Sequence, residues 1–286
     1  MNPPMRIAYS TIACPLWTLE QVASKAAEFG YLGVELRSFD DLSVKISSEP
    51  FRFEPAIIES VFDDAGVNAV SLATSIRYDR VIDPPVVGRM CQDEEEGVRD
   101  TKVYVDFADR AGIEFVRVFG NHLPAAEPKT WSMRRVSDRL KLAAQTARNT
   151  KVRLLIENAG SFAIAESLLE LINIVDSPWL EVSFNALASH QAGQCPIEAM
   201  RILADRLEVV KVCDLDHDGN PVKLGEGIMP IREMIEALDT MNYTGWIVYE
   251  YPKLWQTSDD GLDSADMLKY AADTLYGWMA KSTARC

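Results

Sequence analysis

Four polar side chains stand at the ends of apolar runs in this chain: Glu157 in LLIEN, Asn185 in EVSFNALASHQAG, Lys211 in VVKVCD and Glu250 in WIVYEY. Where such runs are buried, an ionised group must be paired or hydrogen-bonded, and the simplest pairing sets Lys211 or an arginine between Glu157 and Glu250. Two carboxylates that reach one bound molecule can remove a proton next to a carbonyl and return one. An ammonium beside them can stabilise the enediolate oxygen. A lysine whose pKa is lowered by an apolar strand could instead form a Schiff base. The same residues also suit a structural ion network, because perturbed charges are not confined to functional sites.

The elements that must position these groups are strands alternating with helices. Eight strand candidates run along the chain: MRIAYST, YLGVELR, VNAVSLAT, EFVRVFGN, VRLLIENA, WLEVSFNA, LEVVKVCD and TGWIVYEY. Runs such as VRLLI and LEVVKV are apolar almost throughout, as expected of parallel strands covered on both faces. Thr18 followed by Gln21 predicts a capping box, Gly30 and Gly66 suit helix C-termini, and Pro55 suits a first turn. Eight units in 286 residues give about 36 residues each, which fits a single α/β (β/α)8 TIM barrel spanning 1–286. A doubly wound open sheet is the alternative, but no GxGxxG follows the first strand. Residues 75–92 and 251–263 read as insertions, the second placed where a barrel carries substrate-covering loops. The run Glu94, Glu95, Glu96 reads as the acidic first turn of an exposed helix.

Barrel geometry puts functional groups at the C-terminal strand ends. Besides the four residues above, those ends carry Glu35, Arg37, Arg117, Asn121, Asn158 and Asp214. Arg37 and Arg117 are expected to bind substrate, through a phosphate or carboxylate if it carries one, and Asn158, Asn185 and Asp214 are further binding candidates. Glu35 suits a salt bridge as well as a functional role. Trp17, Phe119 and Trp255 could form apolar walls for a sugar ring or pack between loops. His122, His190 and His217 read as solvated loop residues.

Composition narrows the function classes. A net charge of −14 argues against a nucleic-acid partner, which requires clustered Lys and Arg. No apolar run reaches the length of a membrane span, and the N-terminus lacks a secretory pattern, so a cytoplasmic protein with no membrane partner is expected. Five scattered cysteines without CxxC pairs read as free thiols. A homo-oligomer is compatible with the prevalence of two-fold assemblies.

In order and spacing, GVELR, LLIEN, the GEG of VKLGEG, and IVYE resemble the xylose-isomerase-like barrels, in particular the sugar phosphate isomerase/epimerase branch. The resemblance implies a small carbohydrate substrate, a keto-sugar or polyol with or without phosphate, and a divalent metal (Mn, Mg, Co or Zn) held by Glu, Asp, His and Glu on the fifth to eighth strands. Two of those ligands match Glu157 and Glu250, the aspartate falls on Asn185, and the histidine falls on Lys211. The family's frequent histidine after the fifth-strand Glu-Asn falls on Ala159. Asn185 brings no charge and an ammonium has no lone pair. A dication about 4 Å from a charged Lys211 would be repelled by roughly 8 kcal/mol at an effective dielectric near 20. The expectation is therefore a metal-free isomerase or epimerase, with Glu157 and Glu250 as acid and base and Lys211 as electrophile. If a metal does bind despite Lys211, Glu157, Glu250 and Asn185 would hold it. The alternatives are a catalytically silent sugar- or partner-binding barrel and a related lyase or dehydratase.

Overall fold

The computed structural model describes residues 5–39, 44–81, 95–256 and 262–283. Eight parallel strands close into a barrel: β1 (Arg6–Ser10), β2 (Gly33–Arg37), β3 (Asn68–Arg77), β4 (Phe115–Phe119), β5 (Arg153–Glu157), β6 (Leu180–Asn185), β7 (Leu207–Val212) and β10 (Trp246–Tyr249). Each pairs with its sequence neighbour, and β1 closes the ring against β10 through Ala8 and Val248. That closure removes the open sheet from consideration. A short antiparallel ribbon, β8 (Asp214–Leu215) with β9 (Pro221–Val222), follows β7.

Local signals set the connections as the sequence predicts. The helix Leu19–Phe29 begins at a Thr18–Gln21 capping box and ends at Gly30 with φ 85°. The helix Pro55–Ala65 starts on its proline and ends at Gly66 with φ 66°. Glu96 opens the helix Glu96–Arg110 and Glu95 stands at its N-cap position without a side-chain capping hydrogen bond, while Glu94 lies outside the described residues. The insertions read at 75–92 and 251–263 also fall partly outside them, at 82–92 and 257–261. What is described of the first is the end of β3 and its exit.

The barrel interior is layered by the period-two alternation of strands. Its floor is an apolar plug of Ala8, Val70, Phe115, Leu155, Val209, Trp246 and Val248. Two residues further along, the same strands carry Ser10, Arg117, Glu157, Lys211 and Glu250 in place of apolar groups. A polar layer thus sits directly above a dry one, at the C-terminal mouth. Gly33 on β2 makes room for the plug: a Cβ there would lie 2.3 Å from Val70 and 2.7 Å from the Trp246 ring. Gly33 precedes Glu35 by the same two residues, so β2 contributes a carboxylate to the polar layer.

Candidate functional site

At the mouth the ammonium of Lys211 is the centre of a carboxylate cluster. Its Nζ lies 2.8 Å from Glu35 Oε1, 3.0 Å from Glu157 Oε2 and 3.1 Å from Glu250 Oε1. Lys211 and Glu35 are each 1% exposed, and the Glu250 side chain is the most open of the three carboxylates at 20%. Three carboxylates thus lie within ion-pair distance of one ammonium, and Glu250 Oε1 accepts a hydrogen bond from it.

Neighbouring strands fix these carboxylates. Ser71 Oγ on β3, paired in register with Glu35, donates to Glu35 Oε2 at 3.0 Å. Asn185 Nδ2, beside Lys211 in register, spans Glu157 Oε1 at 3.3 Å and Glu250 Oε2 at 3.4 Å. Asn185 is itself held: Asn158 Oδ1 accepts from its backbone N–H at 2.6 Å, and its own Oδ1 accepts from Ala188 N–H to cap the next helix. Arg117 on β4 approaches Glu157 Oε2 through Nε at 3.5 Å.

This arrangement drives the two glutamates apart in acidity. Burial pushes Glu157 up, but Lys211 and then Arg117 outweigh it and bring its pKa down to about 2. For Glu250 burial is again the largest influence, and although Lys211 opposes it, repulsion from Glu157 and Glu35 adds to it and holds the carboxyl above its ordinary value. Burial alone would lower Lys211, yet Glu157, Glu250 and Glu35 together raise it above the usual lysine range. A charged lysine is no Schiff-base nucleophile, so the geometry runs against that reading.

The cluster forms one wall of a cavity of about 240 Å³. Arg37, Arg117 and Asn185 join Glu157, Lys211 and Glu250 on its polar side, and Phe119, Leu187 and Trp255 supply apolar surface. The lining thus combines charged and apolar groups, as small-molecule sites commonly do. A larger cavity of about 660 Å³ lies along the end of β3 and its exit, with His122 and Arg139 in its lining and none of Glu35, Glu157, Lys211 or Glu250.

Three residues chosen from sequence as substrate contacts are placed otherwise. Trp17 lies beside Cys14, Pro15 and Lys253 in a separate depression and packs on the core. Asn158 is fully buried and spends its amide on Asn185 and the Ala163 carbonyl. Asp214 is also fully buried, and its carboxylate accepts backbone N–H groups of Leu215, Gly225, Gly227 and Met229. The GEG phrase is therefore a wrapping loop: a Cβ at Gly227 would meet Asp214 Oδ1 at 2.2 Å. Glu35, suited by its position to a salt bridge as well as a functional role, joins the cluster as the ion-pair partner of Lys211. Its signal was a carboxylate inside the buried run GVELR with a lysine available elsewhere in the mouth.

The donor set can be tested for a divalent ion. Lys211 Nζ takes the position among the carboxylates that a cation would need, and the surrounding charges keep it protonated and without a lone pair. Asn185 turns its Nδ2, a donor, toward Glu157 and Glu250. Among the described residues no group of three or more His, Cys, Asp or Glu could hold a metal ion. The residues present do not fit the metal that the sequence resemblance implied. Cys14, Cys195 and Cys213 are free thiols, and no described helix is long and apolar enough to cross a membrane.

Residues 23–273 match the xylose isomerase-like TIM barrel family, and the chain belongs to it. The 2-oxo-tetronate isomerase of Pectobacterium atrosepticum is 24% identical over 179 residues, which is 60% of this chain and 67% of that protein. Among solved structures, an L-ribulose 3-epimerase superposes with a TM-score of 0.80 at 15% identity, covering 98% of this chain and 96% of that one. The IolI protein with a bound zinc atom superposes with a TM-score of 0.78 at 14% identity, covering 97% of this chain and 99% of that one. At such identities the structural likeness speaks for the fold alone.

Proposed function

We propose that this barrel is a sugar isomerase- or epimerase-type enzyme that moves a proton next to the carbonyl of a small keto-sugar or polyol-derived substrate without a divalent metal. One observation carries the reading: Glu157 and Glu250 reach the same cavity from strands on different sides of Lys211, and their surroundings push their acidities in opposite directions. Paired carboxylates with separated pKa values are how one site holds an acid and a base together. Family membership and the epimerase and isomerase relatives support the substrate class.

Glu157 is the ionised partner and takes the substrate proton. By itself its low pKa makes it a weak base. As negative charge grows on the substrate oxygen, that oxygen competes for the Lys211 ammonium, and Glu157 loses part of the counter-charge that weakens it. Glu250 holds its proton more readily and returns one to the enediolate. Lys211 stabilises the developing oxyanion by charge, and Asn185 holds the two carboxylates in their relative positions. Phe119, Leu187 and Trp255 in the cavity lining limit water at the carbanion.

The test is exchange of a carbon-bound proton for deuterium in D₂O, followed by NMR on candidate keto-sugars. Glu157→Gln and Glu250→Gln should each lower exchange by roughly 10² or more, the usual contribution of a positioned acid or base. If both variants exchange as fast as the parent protein, the reading is wrong.

A further inference from the structure

The cations lining the cavity are compensated unequally. Lys211 faces three carboxylates within 3.1 Å. Arg117 is 3% exposed, and its Nε and Nη1 are buried without a hydrogen-bond partner. Its contact with Glu157 is a 3.5 Å approach to an oxygen already engaged by Lys211, and its guanidinium lies over the Phe119 ring, 4.2 Å from the centroid. Arg37 forms no ion pair among the described residues. Its guanidinium donates to neutral acceptors, the carbonyls of Ser38 and Ala73 and the hydroxyl of Ser75. Burial, and then repulsion from Arg117, brings Arg37 down to about 10, as two guanidiniums sharing one small cavity should.

A buried guanidinium without a full acceptor set is costly in the free protein, and an anion that supplies the acceptor recovers that cost. The setting is also unusual for this chain, whose net charge is −14. At the mouth Lys211, Arg117 and Arg37 offset Glu35, Glu157 and Glu250 in formal charge, so an anion meets a locally neutral site within an acidic protein, with the two guanidiniums free of carboxylates of their own to contact it. We infer that the substrate carries an anionic group, a carboxylate or a phosphate, that docks on Arg117 and Arg37 while its carbon chain reaches toward Glu157 and Glu250. The inference rests on the proposed proton-transfer reading for the role of that carbon chain, and it narrows the substrate from any small keto-sugar to an acidic one. Neutral hydroxyls can accept from a guanidinium too, but charge-assisted bonds are roughly twice as strong.

Calorimetry with three matched four-carbon compounds tests it: erythritol, erythronate and erythritol 4-phosphate. At least one anion should bind about tenfold or more tightly than erythritol, and which one does identifies the group. Arg117→Met and Arg37→Met should each reduce that preference, and Arg117→Lys should keep part of it because the charge remains. Because Arg117 is buried, Arg37→Met on the more open wall serves as the second variant should Arg117→Met fold poorly. Absence of any anion-dependent binding, or a preference that survives both methionine variants, overturns the inference. Deuterium exchange on a neutral ketose separates the two ideas. Exchange without anion preference removes this inference and leaves the proton-transfer reading standing. Tight anion binding, with no carbon-bound proton exchanged in any acidic keto-sugar tried, does the reverse.

Discussion

Lys211 and Asp214 are buried ionisable groups three residues apart, at the end of β7 and just beyond it, and the barrel satisfies them in different ways. Lys211 is met by the side chains Glu35, Glu157 and Glu250, which come from elsewhere in the barrel, and two of them, Glu157 and Glu250, stand in the cavity wall. Asp214 is met by backbone N–H groups of the loop that follows it. Side-chain partners can shift toward a ligand with small rotations, whereas backbone partners move only if the loop rearranges. The first arrangement is suited to chemistry, and the second ties a loop in place.

The contrast can be broken by experiment, and the largest effect is expected at Lys211. Lys211→Met leaves three buried carboxylates around a methyl group and should cost about 3–5 kcal/mol of stability near neutral pH, as removal of one partner from a buried ion cluster does. Urea unfolding should also show much of that loss recovered at pH 5, where the carboxylates can protonate. An unfolding midpoint unchanged from the parent at pH 7 would mean that the cluster does not hold the mouth together.

Acid titration gives the next effect. Glu157 is depressed in the folded state, so its stabilising contribution is present above the ordinary glutamate value of about 4.3 and is lost as pH falls toward about 2. The size should be on the order of 3 kcal/mol, visible as a steep acid limb that Glu157→Gln flattens. Glu250 has the opposite sign: its raised pKa contributes stability below about 4.3 that is lost as pH rises through the folded value, so Glu250→Gln should make the protein relatively more stable at neutral pH. Identical acid limbs in the parent and Glu157→Gln proteins would remove the asymmetry on which the acid and base roles rest.

Asp214→Asn keeps the shape but loses the charge and half of the acceptor capacity, so about 2 kcal/mol of stability should go. Proton exchange per folded molecule should fall by less than about threefold, because Asp214 does not line the cavity. A collapse of exchange comparable with that of Glu157→Gln would place Asp214 in the chemistry after all. The smallest effect belongs to Trp255, 55% exposed at the cavity rim with its ring edge-on to Phe39. Trp255→Ala should weaken ligand binding by about 1 kcal/mol or less, measured by calorimetry, with stability unchanged.

Much of the architecture was legible in the chain. All eight strand candidates overlap barrel strands, and the capping box at Thr18 and the glycine caps at Gly30 and Gly66 form as local chemistry requires. The pairing of Lys211 with Glu157 and Glu250 also followed from the need to satisfy charges inside apolar runs. Trp17 marks a limit of local pattern: an aromatic near a strand end suits a cavity wall, but its position is set by packing beside Cys14 and Lys253. Asn158 and Asp214 are polar residues at strand ends like the site groups, but they serve the backbone.

By itself the sequence determined the alternation of strands with helices and which polar side chains end the apolar runs, because strand periodicity and capping are local. It therefore placed charge at the strand ends before any contact was known. Only the tertiary structure decided how that charge is shared. Glu35 and Lys211 are separated by 176 positions in the chain (211 minus 35) yet meet at 2.8 Å because β1 closes on β10 and brings the first quarter of the barrel against the last. Closure of the ring completes the cluster, leaves Arg117 and Arg37 with fewer carboxylate partners than Lys211, and sets the different acidities of Glu157 and Glu250. Those are properties of distances between strands, which no single strand encodes.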